Sequence, residues 1–273
     1  MTRPRSATTT LLTLLALLLA LPGTARAAAS GFVPPRPAHP ERDWLGSTIR
    51  AHEGGRVRDT PPPVTASVEG VDVSSHNGNV PWGALWDTGV RFAYTKATEG
   101  TGYTNPYFTQ QYNGSYGAGM IRGAYHFALP DHSSGAAQAN YFVDHGGGWS
   151  GDGKTLPGVL DMEYNPYGGT CYGMSASALV SWMKDFFKTY RARTGRDAVI
   201  YTSTTWWRQC TGDNGSFGSV NPLWIPRYGS SPGELPSGWG FHTFWQYTDT
   251  GPTVGDHDRF NGSMTRLQAL ADG

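Results

Sequence analysis

From residue 67 onward the chain alternates between two hydrophobic rhythms. Short runs with apolar residues at every second position, bounded by Gly, Pro, Asn or Asp, predict strands. Longer runs with apolar residues three and four apart predict helices. Strands are expected over 68–74, 91–97, 121–128, 156–163, 197–203, 222–227, 241–248 and 256–260. Helices are expected over 82–89, 106–118, 135–145, 175–194 and, as a short closing element, 265–271. Asn105 suits a cap for the second helix, with Pro106 at its first position. The longest helix places Leu179, Trp182, Met183, Phe186, Phe187 and Tyr190 on one side and ends at Gly195. Strand–helix units followed by strands without proper helices predict an α/β protein: one parallel, TIM-like barrel with an irregular last third. Roughly 200 residues suit one domain with a sizeable core.

The first 66 residues follow neither rhythm. Arg3 and Arg5 precede an apolar run over 11–21, and Ala25-Arg26-Ala27 forms a small-x-small site. This is the pattern of a secretory signal peptide over 1–27, too short in its apolar part to span a membrane. Residues 28–66 hold Pro34, Pro35, Pro37, Pro40 and Pro61 to Pro63 without apolar periodicity. They read as a pro-segment or flexible linker, with at most a turn or two of helix over 43–52. The barrel domain is therefore expected over 67–273.

Export implies an oxidising destination, so Cys171 and Cys210 are expected to form one disulfide. The chain carries 21 basic and 21 acidic residues; losing Arg3, Arg5 and Arg26 with the leader leaves a net charge of −3. That balance disfavours nucleic acid as a partner. No later run is apolar enough for a membrane helix, and a monomer is expected. The 10 Trp, 14 Tyr and 11 Phe suit both a core and the stacking of sugar rings.

The densest candidate chemistry is Leu160-Asp161-Met162-Glu163. In a strand Asp161 and Glu163 share one face while Leu160 and Met162 share the other. Like charges so placed repel, and one pKa must rise. That is useful where one carboxylic acid and one carboxylate are needed together, as in glycoside hydrolysis; it is also compatible with chance surface charge. Other polar residues fall at predicted strand ends, where barrels carry their function: Asp72 between outward Val71 and Val73, Tyr125, Tyr201, Trp245, Tyr247 and Asp258.

Taken in order, Gly70-Val71-Asp72-Val73-Ser74, Gly123-Ala124-Tyr125-His126-Phe127, Leu160-Asp161-Met162-Glu163, Ile200-Tyr201-Thr202-Ser203, Trp245-Gln246-Tyr247 and Asp256-His257-Asp258 resemble the glycoside hydrolase family 25 lysozymes, the Chalaropsis-type muramidases. The resemblance runs over about residues 68–270. It implies a (β/α)5β3 barrel that cleaves the β-1,4 bond between N-acetylmuramic acid and N-acetylglucosamine of peptidoglycan with retention. It implies Glu163 as general acid. Asp161 becomes the carboxylate that orients the 2-acetamido group for internal attack, or alternatively a direct nucleophile. Asp72 and Asp258 would stabilise oxocarbenium charge or hold Asp161 and a tyrosine in place. Tyr125 and Tyr201 match sugar-face or acetamido contacts, with core packing as the alternative. Trp245 and Tyr247 match a sugar platform or barrel filling. Lys96 and Glu99 match an ion pair or loop anchor first and a substrate contact second. No cofactor is implied. A chitinase-like D-x-E glycosidase and a barrel that binds wall glycan without cutting it are the competing functions.

Other signals carry less. Residues 148–155 fit GxxxxGK[ST], but a helix precedes and a strand follows, the reverse of a phosphate-binding loop. His126 and His257 lack metal-ligand spacing, so no metal site is expected. Asn113, Asn214 and Asn261 stand in glycosylation triplets that matter only in a glycosylating host.

Overall fold

The computed structural model describes residues 1–2, 36–54 and 66–273. The leader expected over 1–27 lies outside the described residues, apart from its first two. Eight strands close a barrel: β1 (Val68–Val73), β2 (Phe92–Glu99), β4 (Ile121–Phe127), β5 (Val159–Asp161), β6 (Val199–Tyr201), β7 (Leu223–Pro226), β8 (Phe244–Thr248) and β9 (Asp256–Phe260). The short β3 (Tyr103–Thr104) pairs antiparallel with β2. β1 pairs parallel with β2, and parallel pairing continues round to β8. β9 runs antiparallel to both β8 and β1 and completes the ring.

Helices α2 (Trp82–Asp87), α3 (Phe108–Gly117), α4 (Gly135–Phe142), α5 (Ala176–Thr194) and α6 (Thr204–Thr211) follow the first five barrel strands, and α7 (Met264–Asp272) closes the chain. This is the (β/α)5β3 arrangement. Ahead of the barrel, residues 36–54 include one short helix, α1 (Ile49–Glu53).

Helix α6 is a departure from expectation, since no helix was read between residue 203 and the closing element over 265–271. Its β-branched and aromatic residues, Thr-Thr-Trp-Trp, have low helix propensity. Tertiary burial of Trp206, Trp207 and Cys210 stabilises it instead, and the Ser203 hydroxyl caps it by accepting from Trp206 N–H at 3.1 Å. Helix α3 begins at Phe108 rather than 106, because Asn105 Oδ1 accepts from Tyr107 N–H and shapes a turn there. Helix α4 stops at Phe142, where the chain widens through Gly146 at φ 110°. Regular pairing in β5 covers only Val159–Asp161, so Glu163 stands beyond the strand end. Gly195 closes α5 with φ 76°.

Two apolar layers follow from strand alternation. Leu160, Met162 and Ile200 face outward and pack with Met183 and Phe186 of α5 and Trp206 of α6. Inside the ring, Phe92, Tyr94, Trp224, Phe244 and Phe260 fill the floor, with ring centroids 4.9 Å apart for Tyr94–Trp224 and 5.3 Å for Trp224–Phe244. Gly123 makes room for this filling: a Cβ there would lie 2.1 Å from the Tyr94 ring. The polar groups at the mouth stand on this aromatic floor. The Cys171–Cys210 disulfide, with Cα atoms 5.3 Å apart, ties the loop after β5 to α6.

Candidate active site

Each acid reaches the mouth by a local rule. On β1, Val71 and Val73 pack outward against Trp82 and Leu85, which turns Asp72 inward. On β5, outward Leu160 and Met162 leave Asp161 facing in. β9 brings its acids at its start, because an antiparallel strand begins where its parallel neighbours end. Register places Asp256 opposite Asp72 and Asp258 opposite Gly70. Asp72, Asp161, Glu163 and Asp258 are buried together, with at most 2% exposure.

Gln246 bridges the cluster. Its Nε2 donates to Asp72 Oδ2 at 2.8 Å, and its Oε1 accepts from the hydroxyls of Tyr201 at 2.7 Å and Tyr228 at 3.1 Å. Tyr125 and Tyr201 both lie in the lumen, fully buried. Lys96 Nζ lies 2.5 Å from Glu99 Oε2, with both side chains sealed from water, and Tyr167 donates to Glu99 Oε1 at 2.6 Å. The pair is thus an internal ion pair.

Burial dominates the electrostatics. It pushes Asp72 up to about 8, against the Gln246 hydrogen bond, and Glu163 up to about 7, against donors from Thr48 and Gly46. Asp161 is held well above the usual carboxylate range, first by burial and then by Glu163. Asp256 and Asp258 are raised by burial and then by Asp72. Desolvation, rather than the repulsion from Asp161 expected at the outset, is therefore the main cause of the Glu163 shift. Neither oxygen of Asp161 accepts a hydrogen bond among the described residues.

Trp245 and Tyr247 are not brought to the acids. Because Phe244 and Gln246 face the lumen, the residues between and beyond them face out. Trp245 Nε1 donates to Arg227 O at 2.8 Å, and Tyr247 donates to Glu69 Oε2 at 2.9 Å beneath the Arg259 guanidinium. His126 points outward too: it is buried between Thr98 Oγ1 (2.7 Å) and Gln138 Oε1 (2.9 Å), and burial lowers its pKa to about 4. Among the described residues, no group of three or more His, Cys, Asp or Glu is arranged to hold a metal ion. No helix there is long and apolar enough to cross a membrane.

Asp256, Gln246 and Tyr228 escaped the sequence reading as site residues. Asp256 and Gln246 carried a signal, since each lies two positions from a residue that faces the lumen. Residues 36–54 also lie at the mouth. Gly46 N–H donates to Glu163 Oε1 at 2.8 Å and Thr48 N–H to Glu163 Oε2 at 3.0 Å, with the Thr48 hydroxyl donating to the same oxygen. Nothing in the proline-rich composition indicated these contacts.

A closed α/β barrel that crowds carboxyl groups at the C-terminal rim of its parallel strands offers the paired acids that glycoside hydrolysis uses. The sequence model of the Glycosyl hydrolases family 25 matches residues 71–256, and the chain belongs to that family. Among relatives, Lysozyme M1 of Streptomyces globisporus is 45% identical over 265 residues, covering 94% of this chain and 90% of its own. The N,O-diacetylmuramidase of Chalaropsis sp is 47% identical over 211 residues, covering 76% of this chain and all of its own. In structure, the muramidase from Acremonium alcalophilum superposes with a TM-score of 0.75 at 55% identity, covering 76% of this chain and 99% of that one. The family confirms the expectation of a glycoside hydrolase.

Proposed function

We propose that the protein is a secreted muramidase that hydrolyses the β-1,4 bond between N-acetylmuramic acid and N-acetylglucosamine in peptidoglycan, with retention. The observation that carries this reading is the placement of Asp161 and Glu163 side by side in the mouth of a family 25 barrel, with Asp72 and Asp258 around them. The lysozyme and muramidase relatives supply the substrate class. The chitinase-like and non-catalytic alternatives gain no comparable support.

In this reading Glu163 is the general acid. Its pKa near 7 leaves a large protonated fraction at neutral pH, so it can hand a proton to the leaving O4. Asp161, once ionised, holds the 2-acetamido N–H and steers the acetamido oxygen to the anomeric carbon. Water then opens the resulting oxazoline-type intermediate with Glu163 as base, which gives retention through two inversions. Asp72 and Asp258, whose pKa values burial raises in the closed structure, would place negative potential near the oxocarbenium-like centre once they ionise. Gln246 and Tyr201 keep Asp72 oriented. Secretion is supported by the leader-like residues 1–27 and by the disulfide in the barrel.

Residues 67–273 form the proposed catalytic domain, and the solved muramidase corresponds to a barrel of this size alone. Glu163→Gln in that barrel is expected to reduce clearing of a wall suspension by at least about 10³-fold, with an unchanged circular dichroism spectrum. The parent barrel should release muramic acid reducing ends. A fully active Glu163→Gln, or release of N-acetylglucosamine ends only, would refute the assignment.

A further inference from the structure

The acids of the proposed site are shut off from solvent, and the chain itself covers them. Residues 36–54 cross the mouth of the barrel. Leu45, with no exposed surface, inserts into the lumen beside Tyr125 and Tyr201. Its backbone N–H donates to the Tyr125 hydroxyl at 3.1 Å, and its carbonyl accepts from Gln246 Nε2 at 2.9 Å. Lys96 Nζ donates to Pro40 O at 3.0 Å and to Asp43 O. Arg50 forms a two-pronged ion pair with Asp249. The His52 ring stacks on Tyr164 with centroids 4.0 Å apart and planes 1° from parallel. These are the kinds of contact a glycan would need: amide-like hydrogen bonds inside and a flat face on an aromatic ring. Open space remains on either side, one cleft lined by Trp44, Asp72 and Asp256, another by His52, Glu53 and Tyr228. Neither is lined by Glu163 or Asp161.

The fit at Gly46 is tight. Its φ of +87° favours glycine, and a Cβ there would lie 2.5 Å from both Gln246 Oε1 and the Tyr201 hydroxyl and 2.8 Å from the Tyr228 hydroxyl. The segment also works against the proton arrangement that the reaction needs. Three donors, from Gly46 N–H, Thr48 N–H and the Thr48 hydroxyl, converge on Glu163 and favour its ionised form. Asp161, beside Glu163 and without a donor of its own, has no hydrogen bond among the described residues to stabilise its ionised form. The reaction needs the reverse: Glu163 protonated and Asp161 ionised.

We propose that residues 36–54 are an autoinhibitory plug, so that the full chain is latent and becomes active when this segment leaves the mouth. The proposal rests on the muramidase reading. With substrate excluded from the closed form, apparent affinity falls by the fraction of molecules that are open. The test is Gly46→Val in the full chain, which forces a side chain into the triangle of Gln246, Tyr201 and Tyr228 while leaving every acid in place. Clearing of a wall suspension should rise at least tenfold over the unsubstituted chain and approach the rate of residues 67–273. An unsubstituted chain that clears walls as fast as that barrel, or a Gly46→Val chain no faster than its parent, overturns the plug. A barrel of residues 67–273 that clears no wall refutes the muramidase reading instead, and the plug is then decided by binding. A synthetic peptide of residues 36–54 titrated into the barrel should bind, at least tenfold more tightly than its Gly46→Val version. No binding, or equal binding, overturns it.

Discussion

Asp161→Asn should make the full chain more stable at neutral pH while removing the activity of the barrel of residues 67–273. Asp161 is fully buried, faces Glu163, and accepts no hydrogen bond. Its folded pKa lies well above the unfolded value. An acid shifted in that direction binds more protons in the folded state, so its contribution is least unfavourable below the unfolded pKa and worsens as pH rises toward the folded one. Holding Asp161 fully protonated at pH 7, when the unfolded chain would ionise it near 3.9, would cost about 4 kcal/mol, which is the upper bound on this contribution. Asparagine is neutral at every pH and nearly isosteric. Its amide gives back about 1–3 kcal/mol through its own desolvation. The net gain is then at most about 1–3 kcal/mol at pH 7 and turns into a loss of about 1–3 kcal/mol near pH 4, where Asp161 is neutral in both states. For a domain of this size 1 kcal/mol moves Tm by about 2–4 °C. Scanning calorimetry at pH 4 and pH 7 reads the effect, and a wall-clearing assay on the barrel of residues 67–273 should fall by at least about 10²-fold. A variant whose Tm change is the same at both pH values, or more negative at pH 7, would show that Asp161 does not carry this desolvation cost.

Three further outcomes are expected. Lys96→Met leaves Glu99 buried without its cation and should destabilise the full chain by about 3–5 kcal/mol, read by urea denaturation; a loss below about 1 kcal/mol would mean water reaches Glu99. Replacing Cys171 and Cys210 together by Ser opens a crosslink between residues 39 apart and should cost about 2–4 kcal/mol in the same experiment, with catalysis by the residual folded protein unchanged. Trp245→Phe removes the hydrogen bond to Arg227 O on the outer face and should lower Tm by a few degrees without altering KM for wall polymer; a severalfold rise in KM would restore Trp245 to the glycan path.

Much of the barrel was legible because alternation is a local property. The inward turn of Asp72 follows from two valines that need apolar partners, and the shared face of Asp161 and Glu163 follows from a period of two. Outward His126 and the long face of α5 follow the same logic. The period misled only where it was not applied to its end. Trp245 and Tyr247 looked like sugar platforms by residue type, yet alternation with Phe244 sends them outward and leaves Gln246 inside. Helix α6 was illegible because its residues are weak helix formers, and its stability comes from burying two tryptophans.

The sequence by itself determined which side chains face inward, which strand ends carry acids, and which family the chain resembles, because each depends on spacing along one strand or on an ordered set of short motifs. The tertiary structure alone decided how much water those acids see. That depends on residues far apart in sequence: Gly46 and Thr48 reach Glu163 across more than a hundred positions, and Gln246 joins Asp72 to Leu45. A carboxyl's pKa is set by solvent and by the donors around it in space. A proline-rich stretch without periodicity gives no sign that its glycine fits the lumen, since the fit belongs to the hydroxyls and the amide that the closed ring brings together.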